Sequence, residues 1–357
     1  MRHLGPALFS LLLLALAAPA AHAVVGGAPA SRAAYPFFVE VGPGGKAGSC
    51  GGALVAPDRV LTAAHCRETV EIGREVRVGP KNVRRTVRRL AIDPLHVREL
   101  AKMEREFPPP AADLMLLDLD RPVTGVPLLP ITTRADALTA PGTPAVTIGT
   151  GASVPDGHGG GTKAETFRAG TVAVQDQGTC RDALSTKLLR TWSICTRDPR
   201  TADPAALPPF VSACVGDSGG PLLAGPATAP RLIGTVSWGA DCGAGREPEL
   251  YANAVEGRDF ALDRAPAWAP QAIGPARLVG VPEVGRTLRC VVRWLVKPTR
   301  DVDYGFAVDG FQKQDGGHDR FRLLAAYRGK KVTCTAGGAT AGGRGGPPGL
   351  SRALKVR

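Results

Sequence analysis

The sequence predicts an all-β protein, a large β domain followed by a small β-sandwich, and two observations carry that reading. Between Val24 and about Arg264 the apolar residues come in short runs, such as Phe37–Val41, Ala53–Val55, Val60–Thr62 and Leu114–Leu117, separated by Gly- and Pro-rich turns. That is the pattern of many short strands. Further on, alternating segments carry Cys290, Trp294 and a distant Cys334, which suggests a sandwich with one bridge across its sheets. At 357 residues the chain is long enough for two domains.

Residues 1–23 run from Arg2 and His3 through the apolar stretch Ala7–Ala18 to Pro19 and the small-x-small ending Ala21-His22-Ala23. This reads as a signal peptide. A membrane anchor is the competing reading, but the apolar run is well short of the ~20 residues a bilayer requires. No later segment is long and apolar enough to span, so a secreted, extracellular protein with no membrane span is expected. Eight cysteines remain, none in a CxxC pair, which favours disulfides over zinc or redox chemistry. No metal and no cofactor is expected. The formal charge is +12, and loss of Arg2 leaves +11. Arg and Lys are spread along the chain with one denser stretch at Arg84, Arg85, Arg88 and Arg89 and little aromatic interleaving. Solubility or adhesion to anionic surfaces therefore accounts for the charge, and no nucleic-acid partner is expected.

Within 24–264 a helix is expected only near Gly257–Arg264. Gly149–Gly161 and Arg197–Pro209, the latter with four prolines, read as surface loops holding no regular strand or helix. Residues 265–276 form a Pro/Ala segment with the composition of a semi-rigid linker. The accessory domain follows at 277–357, and Gly337–Gly349 reads as a mobile glycine-rich tail.

Two segments carry chemistry. Val60-Leu61-Thr62-Ala63-Ala64-His65-Cys66 places a histidine at the end of an apolar strand beside a cysteine that could staple it, although a lone histidine there could also be a core residue. Gly216-Asp217-Ser218-Gly219-Gly220-Pro221 places a serine among glycines whose backbone can aim N–H groups at one point. A serine hydroxyl becomes a nucleophile only with an imidazole base, a carboxylate to orient that base, and donors for the oxyanion.

With VVGG at Val24–Gly27, TAAHC at Thr62–Cys66, DLMLL at Asp113–Leu117, GDSGGP at Gly216–Pro221 and SWG at Ser237–Gly239, residues 24–264 resemble the chymotrypsin/trypsin family in its chain order. The resemblance implies two packed six-stranded antiparallel β-barrels with His65, Asp113 and Ser218 as the catalytic triad between them. Asp118 and Asp120 lie close by, but Asp113 opens the apolar run in the family manner. The N–H groups of Gly216 and Ser218 would form the oxyanion hole. The resemblance pairs Cys50 with Cys66, Cys180 with Cys195, and Cys214 with Cys242, leaving Cys290 and Cys334 in the accessory domain, which resembles bacterial immunoglobulin-like modules. A surface, a polymer or another protein would be that module's ligand.

Protein or peptide substrates would enter a primary pocket built from Ser212, Ala213, Ser237, Trp238, Gly239 and Glu249. Ser212 makes its base neutral, and Glu249 stands where the family commonly has Gly. If Glu249 faces the pocket, cleavage is expected after aromatic or Leu residues and also after Lys or Arg; if it faces solvent, the pocket is purely chymotrypsin-like. Val24 and Asp217 form the expected activation pair, Ala23 directly preceding the activating terminus. Two further departures are Gly149-Thr150-Gly151, where Gly-Trp-Gly is usual, and the Pro-rich insertion between Cys195 and Cys214. The alternative function is a catalytically inactive adhesin or binding protein on a protease scaffold.

Overall fold

The computed structural model describes residues 24–42, 49–70, 72–100, 111–155, 161–163, 166–184, 191–344 and 349–357; the expected signal peptide lies outside them. Strands β1 (Phe38–Val41), β2 (Cys50–Ala56), β3 (Arg59–Thr62), β4 (Glu75–Val78), β5 (Val83–Ile92) and β6 (Met115–Leu119) close into an antiparallel barrel in the order β1-β2-β3-β6-β5-β4. The next six are β7 (Pro144–Gly149), β8 (Arg168–Val174), β9 (Ser193–Arg197), β10 (Pro221–Ala224), β11 (Arg231–Gly239) and β12 (Glu249–Asn253). They pair as β7-β8-β9-β12-β11-β10, and β7 meets both β8 and β10, so this ring closes with the same topology as the first. Closure removes the free edges that an open sheet of this length would expose.

Alternation along the strands fills each barrel. Arg84, Thr86 and Arg88 of β5 point outward while Val87 is buried, the period of two that a half-buried strand requires, and a register shift between Val87 and Arg89 turns Leu90 inward as well. The dense arginine stretch is therefore the outer surface of the first barrel, and its members are paired there. Arg88 and Arg89 both reach Asp118 at 2.8 Å, and Arg85 donates to the carbonyls of Arg121 and Pro122. One core cluster joins Leu54, Leu61 and Leu116 of the first barrel to Ile148, Leu223 and Leu232 of the second.

Among the described residues three α-helices occur where one was expected. Arg258–Leu262 (α3) falls within the expected 257–264, but α1 (Pro94–Leu100) and α2 (Gln177–Leu184) were missed. Both are short loop helices without an apolar 3.6-residue repeat. Their signals were the caps: Asp93 accepts the N–H of Leu95 with Pro94 at the first turn, and Asp176 accepts the N–H of Thr179. The two loop expectations also need correction. Ala152–Pro155 pairs with Gly161–Lys163 as a hairpin, and Pro199–Ala202 forms a 3₁₀ turn capped by Asp198.

Residues 265–276 do not hang free. Ala269 N–H donates to Leu90 O at 2.9 Å, the Arg89 guanidinium lies 4.3 Å from the Trp268 ring centre, and Gln271–Ala272 pairs with Trp294–Val296. The C-terminal residues form two sheets. One holds β13 (Arg277–Val279), β14 (Thr287–Val291) and β17 (Arg320–Arg322). The other holds β15 (Arg300–Val308), β16 (Phe311–Gln314), β18 (Lys331–Thr340), β19 (Gly343–Arg344) and β20 (Leu354–Lys355). Cys290 on β14 and Cys334 on β18 join them across a core of Leu288, Phe306, Phe321 and Val332. Trp294 lies outside that core. The glycine-rich stretch expected as a mobile tail instead continues β18 through Thr340 and forms β19; residues 345–348 lie outside the described set.

Candidate active site

Register brings His65 and Asp113, two of the three expected triad residues, together. Thr62 of β3 pairs with Met115 of β6, so antiparallel continuation places Asp113, two residues before Met115, beside the 3₁₀ turn Ala64–Glu68 that carries His65. The Cys50–Cys66 disulfide ties this turn to β2. His65 Nδ1 lies 2.7 Å from Asp113 Oδ2, and the His65 backbone N–H donates to Oδ1 at 2.9 Å. The carboxylate is 2% exposed and the imidazole 41%. Burial alone would raise the Asp113 pKa; the hydrogen bond and charge of His65, the charge of buried His96 on α1 and the Ser237 hydroxyl outweigh it and hold the carboxyl below its ordinary value. Asp118 and Asp120 face elsewhere, toward Arg88 and Arg89 and toward the N–H of Thr86.

Ser237 is a member of the site whose role the sequence did not show. Val236 pairs with Tyr251 and Trp238 with Leu250, leaving Ser237 as the extra residue of a bulge in β11. A bulge re-aims its side chain. Its Oγ crosses to the other barrel and donates to Asp113 Oδ2 at 2.6 Å.

Ser218 sits in the turn that joins the barrels. Gly51 N–H of β2 donates to Ser218 O at 2.7 Å, and Gly219 N–H donates to Val236 O of β11 at 2.7 Å. The Cys66 sulfur lies 3.7 Å from the same Ser218 carbonyl oxygen, so the turn abuts the His65 segment. Gly216 holds φ +95, which only glycine adopts at low cost. Among the described residues, neither the N–H of Gly216 nor that of Ser218 has an acceptor, and the Ser218 Oγ makes no hydrogen bond.

Of the residues expected to line the primary pocket, Ser212, Ala213, Gly239 and Glu249 come together. Glu249 is buried: Ser212 Oγ contacts its Oε1, Tyr251 OH donates to Oε2 at 2.9 Å, and the Ala213 N–H also reaches it. Gly239 pairs with Glu249 in register, and a Cβ on Gly239 would lie 3.5 Å from Oε1. Burial pushes the Glu249 carboxyl up to about 7 against the pull of those donors, and the charge of Asp217 adds to the rise. Ser212 Oγ also lies 2.9 Å from Ala213 O. A hydroxyl has one proton for these two acceptors, so a protonated Glu249 satisfies all three groups. Trp238 packs on Cys180, Cys195 and Leu250.

Arg246, which the sequence did not single out, braces these residues. Arg246 donates to four carbonyls of the Pro-rich insertion, those of Thr201 and Ala206 at 2.7 Å and those of Asp203 and Pro204 at 3.0 Å. Its guanidinium lies 5.1 Å from the Phe210 ring centre, with Arg200 at 5.2 Å. Phe210 N–H donates to Gly243 O. The insertion and the segment leading to Glu249 are thus clamped together beside the Cys214–Cys242 bridge.

Val24 and Asp217 are both fully buried. Ser212 N–H donates to Val25 O at 3.0 Å, which draws the segment against the pocket base. Asp217 accepts the N–H of Gly151 at 2.7 Å and that of Cys214 at 3.1 Å. Among the described residues, no three His, Cys, Asp or Glu are grouped to hold a metal ion.

The Trypsin family model matches residues 24–260. This chain belongs to the trypsin family of serine proteases. It is 30% identical over 254 residues to "Trypsin" of Saccharopolyspora erythraea, a match covering 69% of this chain and 100% of that protein. It is 32% identical over 256 residues to "Serine protease 56" of Homo sapiens, covering 68% of this chain but only 39% of the relative. With "Trypsin-like protease" of Streptomyces glaucescens the identity is 29% over 259 residues, 70% of this chain and 85% of that one. The trypsin-family match stops short of the two C-terminal sheets. All four cysteine pairs, including Cys180–Cys195, are present. At the Gly149-Thr150-Gly151 departure, the trypsin-family chain keeps glycine for a steric reason: a Cβ on Gly149 would lie 1.9 Å from Asp217 Oδ1.

Proposed function

We propose that this trypsin-family protease is a secreted endopeptidase that cleaves through an acyl-enzyme on Ser218. The observation that carries the reading is the Asp113 carboxylate, buried and taking donors from His65 Nδ1, the His65 backbone and Ser237. An Nδ1–H held in this way leaves the Nε2 lone pair to act as base. Ser218 Oγ attacks the scissile carbonyl carbon while His65 Nε2 takes its proton. The carbonyl oxygen becomes an oxyanion that the unpartnered N–H groups of Gly216 and Ser218 accommodate, and losing one such donor typically costs roughly 10²- to 10³-fold in turnover. His65 then gives the proton to the leaving amine. Water repeats the sequence on the acyl-enzyme and frees Ser218.

In this reading the primary pocket takes large apolar side chains, and Lys or Arg when Glu249 is ionised. Glu249 faces the pocket side of Gly239 rather than solvent, and a buried carboxylate beside an apolar slot accepts a cation and tolerates a ring. Removal of residues 1–23 would free the Val24 amine to pair with buried Asp217 and order the turn that holds Gly216. The two C-terminal sheets form an immunoglobulin-like accessory module.

The test is hydrolysis of small Phe- and Lys-containing peptides by protein beginning at Val24. Activity that disappears with Ser218→Ala and His65→Ala supports the reading. Stable protein with no peptidase activity would favour the inactive binding scaffold instead.

A further inference from the structure

Lys and Arg are about twice as dense after residue 276 as before it, while Asp and Glu become slightly sparser. Residues 24–276 carry 27 Lys and Arg against 26 Asp and Glu, whereas residues 277–357 carry 16 against 6. The C-terminal module thus holds a formal +10 of the chain's +12. A net charge so concentrated in one module is an electrostatic footprint rather than a general aid to solubility.

Strand register collects part of that charge on one face. In the sheet β13-β14-β17, Leu278 pairs with Cys290 and Leu288 with Phe321, and Leu288, Cys290 and Phe321 are buried in the module core. The alternate residues therefore face solvent: Arg277, Val279, Thr287, Arg289, Arg320 and Arg322 are all exposed, and Val291 is half-buried among them. Arg289 stands directly opposite Arg320, and Arg322 opposite Thr287. Like charges paired across strands are destabilising. One carboxylate offsets them, since Asp319 lies 2.5 Å from Arg289 and 4.0 Å from Arg320. Among the described residues Arg277 and Arg322 have no ion pair.

We propose that this outer face of β13-β14-β17 is a docking surface for an extended anionic polysaccharide. Guanidinium groups spaced about 5 Å across strands and about 7 Å along them present forked donors to successive carboxylate, sulfate or phosphate groups. Thr287 adds a hydroxyl suited to a sugar. The side chains that the register places on this face include no aromatic ring, so it lacks the stacking platform by which proteins hold single-stranded nucleic acid. Nor does it carry the aromatic residues that seat a protein in a lipid interface; exposed Phe311 lies on β16 of the other sheet. The bound polymer would keep the protease at an anionic surface while its cleft stays open.

The proposal is independent of the catalytic reading, because its test measures binding. Full-length protein beginning at Val24 is titrated with dextran sulfate, neutral dextran, double-stranded DNA and phosphatidylglycerol vesicles at 0.05 to about 0.3 M salt. Binding to dextran sulfate, weakening with salt and absent for neutral dextran, is expected. Combined Arg277→Gln, Arg289→Gln, Arg320→Gln and Arg322→Gln should weaken it at least about tenfold at physiological salt. The matched loss of charge in Arg328→Gln, Lys330→Gln, Lys331→Gln and Lys355→Gln should weaken it less than about threefold. Equal weakening in the two variants would overturn the proposal, as would tighter binding of DNA or vesicles than of dextran sulfate. Phenylglyoxal footprinting of the unaltered protein needs no variant to fold. Dextran sulfate should protect the four face arginines and leave Arg328 and Arg352 reactive, and uniform protection or none would contradict the assignment.

Discussion

Replacing Glu249 by Gln removes one ionisable group and leaves the size of the pocket unchanged. With its carboxyl at about 7, Glu249 is about one-tenth ionised at pH 6 and about nine-tenths at pH 8. If the charge is what admits Lys, kcat/KM for a Lys peptide divided by that for a matched Phe peptide should rise about tenfold over this interval. Any ionisation that affects both substrates alike cancels in the ratio. Because kcat/KM reports the free enzyme, binding of the cation itself does not move the midpoint. In Glu249→Gln the ratio should be flat, and Lys cleavage at pH 8 should fall about ten- to a hundredfold, the worth of a charge-assisted contact in a buried site. Stability gives an independent readout. The folded carboxyl titrates above its ordinary value of 4.5, so its contribution is complete below that value and is lost as pH rises toward 7. The loss amounts to roughly 3 kcal/mol at most. Glu249→Gln should therefore gain stability relative to the parent as pH rises through that window. A Lys-to-Phe ratio independent of pH, or a variant that keeps the parent's slope, would refute the reasoning.

Three further substitutions probe contacts that the fold creates. Ser237→Ala removes one of the three donors to Asp113 and should lower kcat about tenfold with little change in KM, measured on a Phe peptide. Arg246→Ala releases the four carbonyls of the insertion; KM should rise for Phe and Lys peptides alike and stability should fall by roughly 2 kcal/mol, with Arg246→Lys failing to restore either because it lacks the planar fork. Trp268→Ala removes the indole beneath Arg89 and should cost about 2 kcal/mol in denaturant unfolding while leaving peptide hydrolysis unchanged.

What the sequence made legible were features confined to a few contiguous residues. TAAHC and GDSGGP place a histidine and a serine in backbones that expose them, and both proved to flank the junction between the barrels. Short apolar runs marked β1, β3 and β6 to within a residue or two of their observed ends. Asp113 could be preferred over Asp118 and Asp120 by its position before the run, and register supplies the reason: only Asp113 continues the β6 ladder toward the His65 turn.

What remained hidden depends on pairings between distant segments. Ser237 reaches Asp113 because β11 bulges against β12, and no local pattern announces a bulge. Arg246 appears in sequence as one arginine among many; its role exists only because the insertion folds its carbonyls toward it. Residues 265–276 have the composition of a spacer, yet Trp268 and Ala269 find an apolar and cationic seat on β5 that composition does not encode. The charge of the accessory module was obscured for another reason. Its extra basic residues are scattered over several strands, so the excess shows only when residues 277–357 are counted against residues 24–276.

Covalent labelling tests the central claim most directly. Protein beginning at Val24 is treated with a peptidyl phosphonate carrying Phe, digested, and mapped by mass spectrometry. The account predicts stoichiometric modification at Ser218, slowed about a thousandfold or more by His65→Ala and abolished by Ser218→Ala. An unlabelled Ser218 in folded protein, or labelling that does not depend on His65, would contradict it.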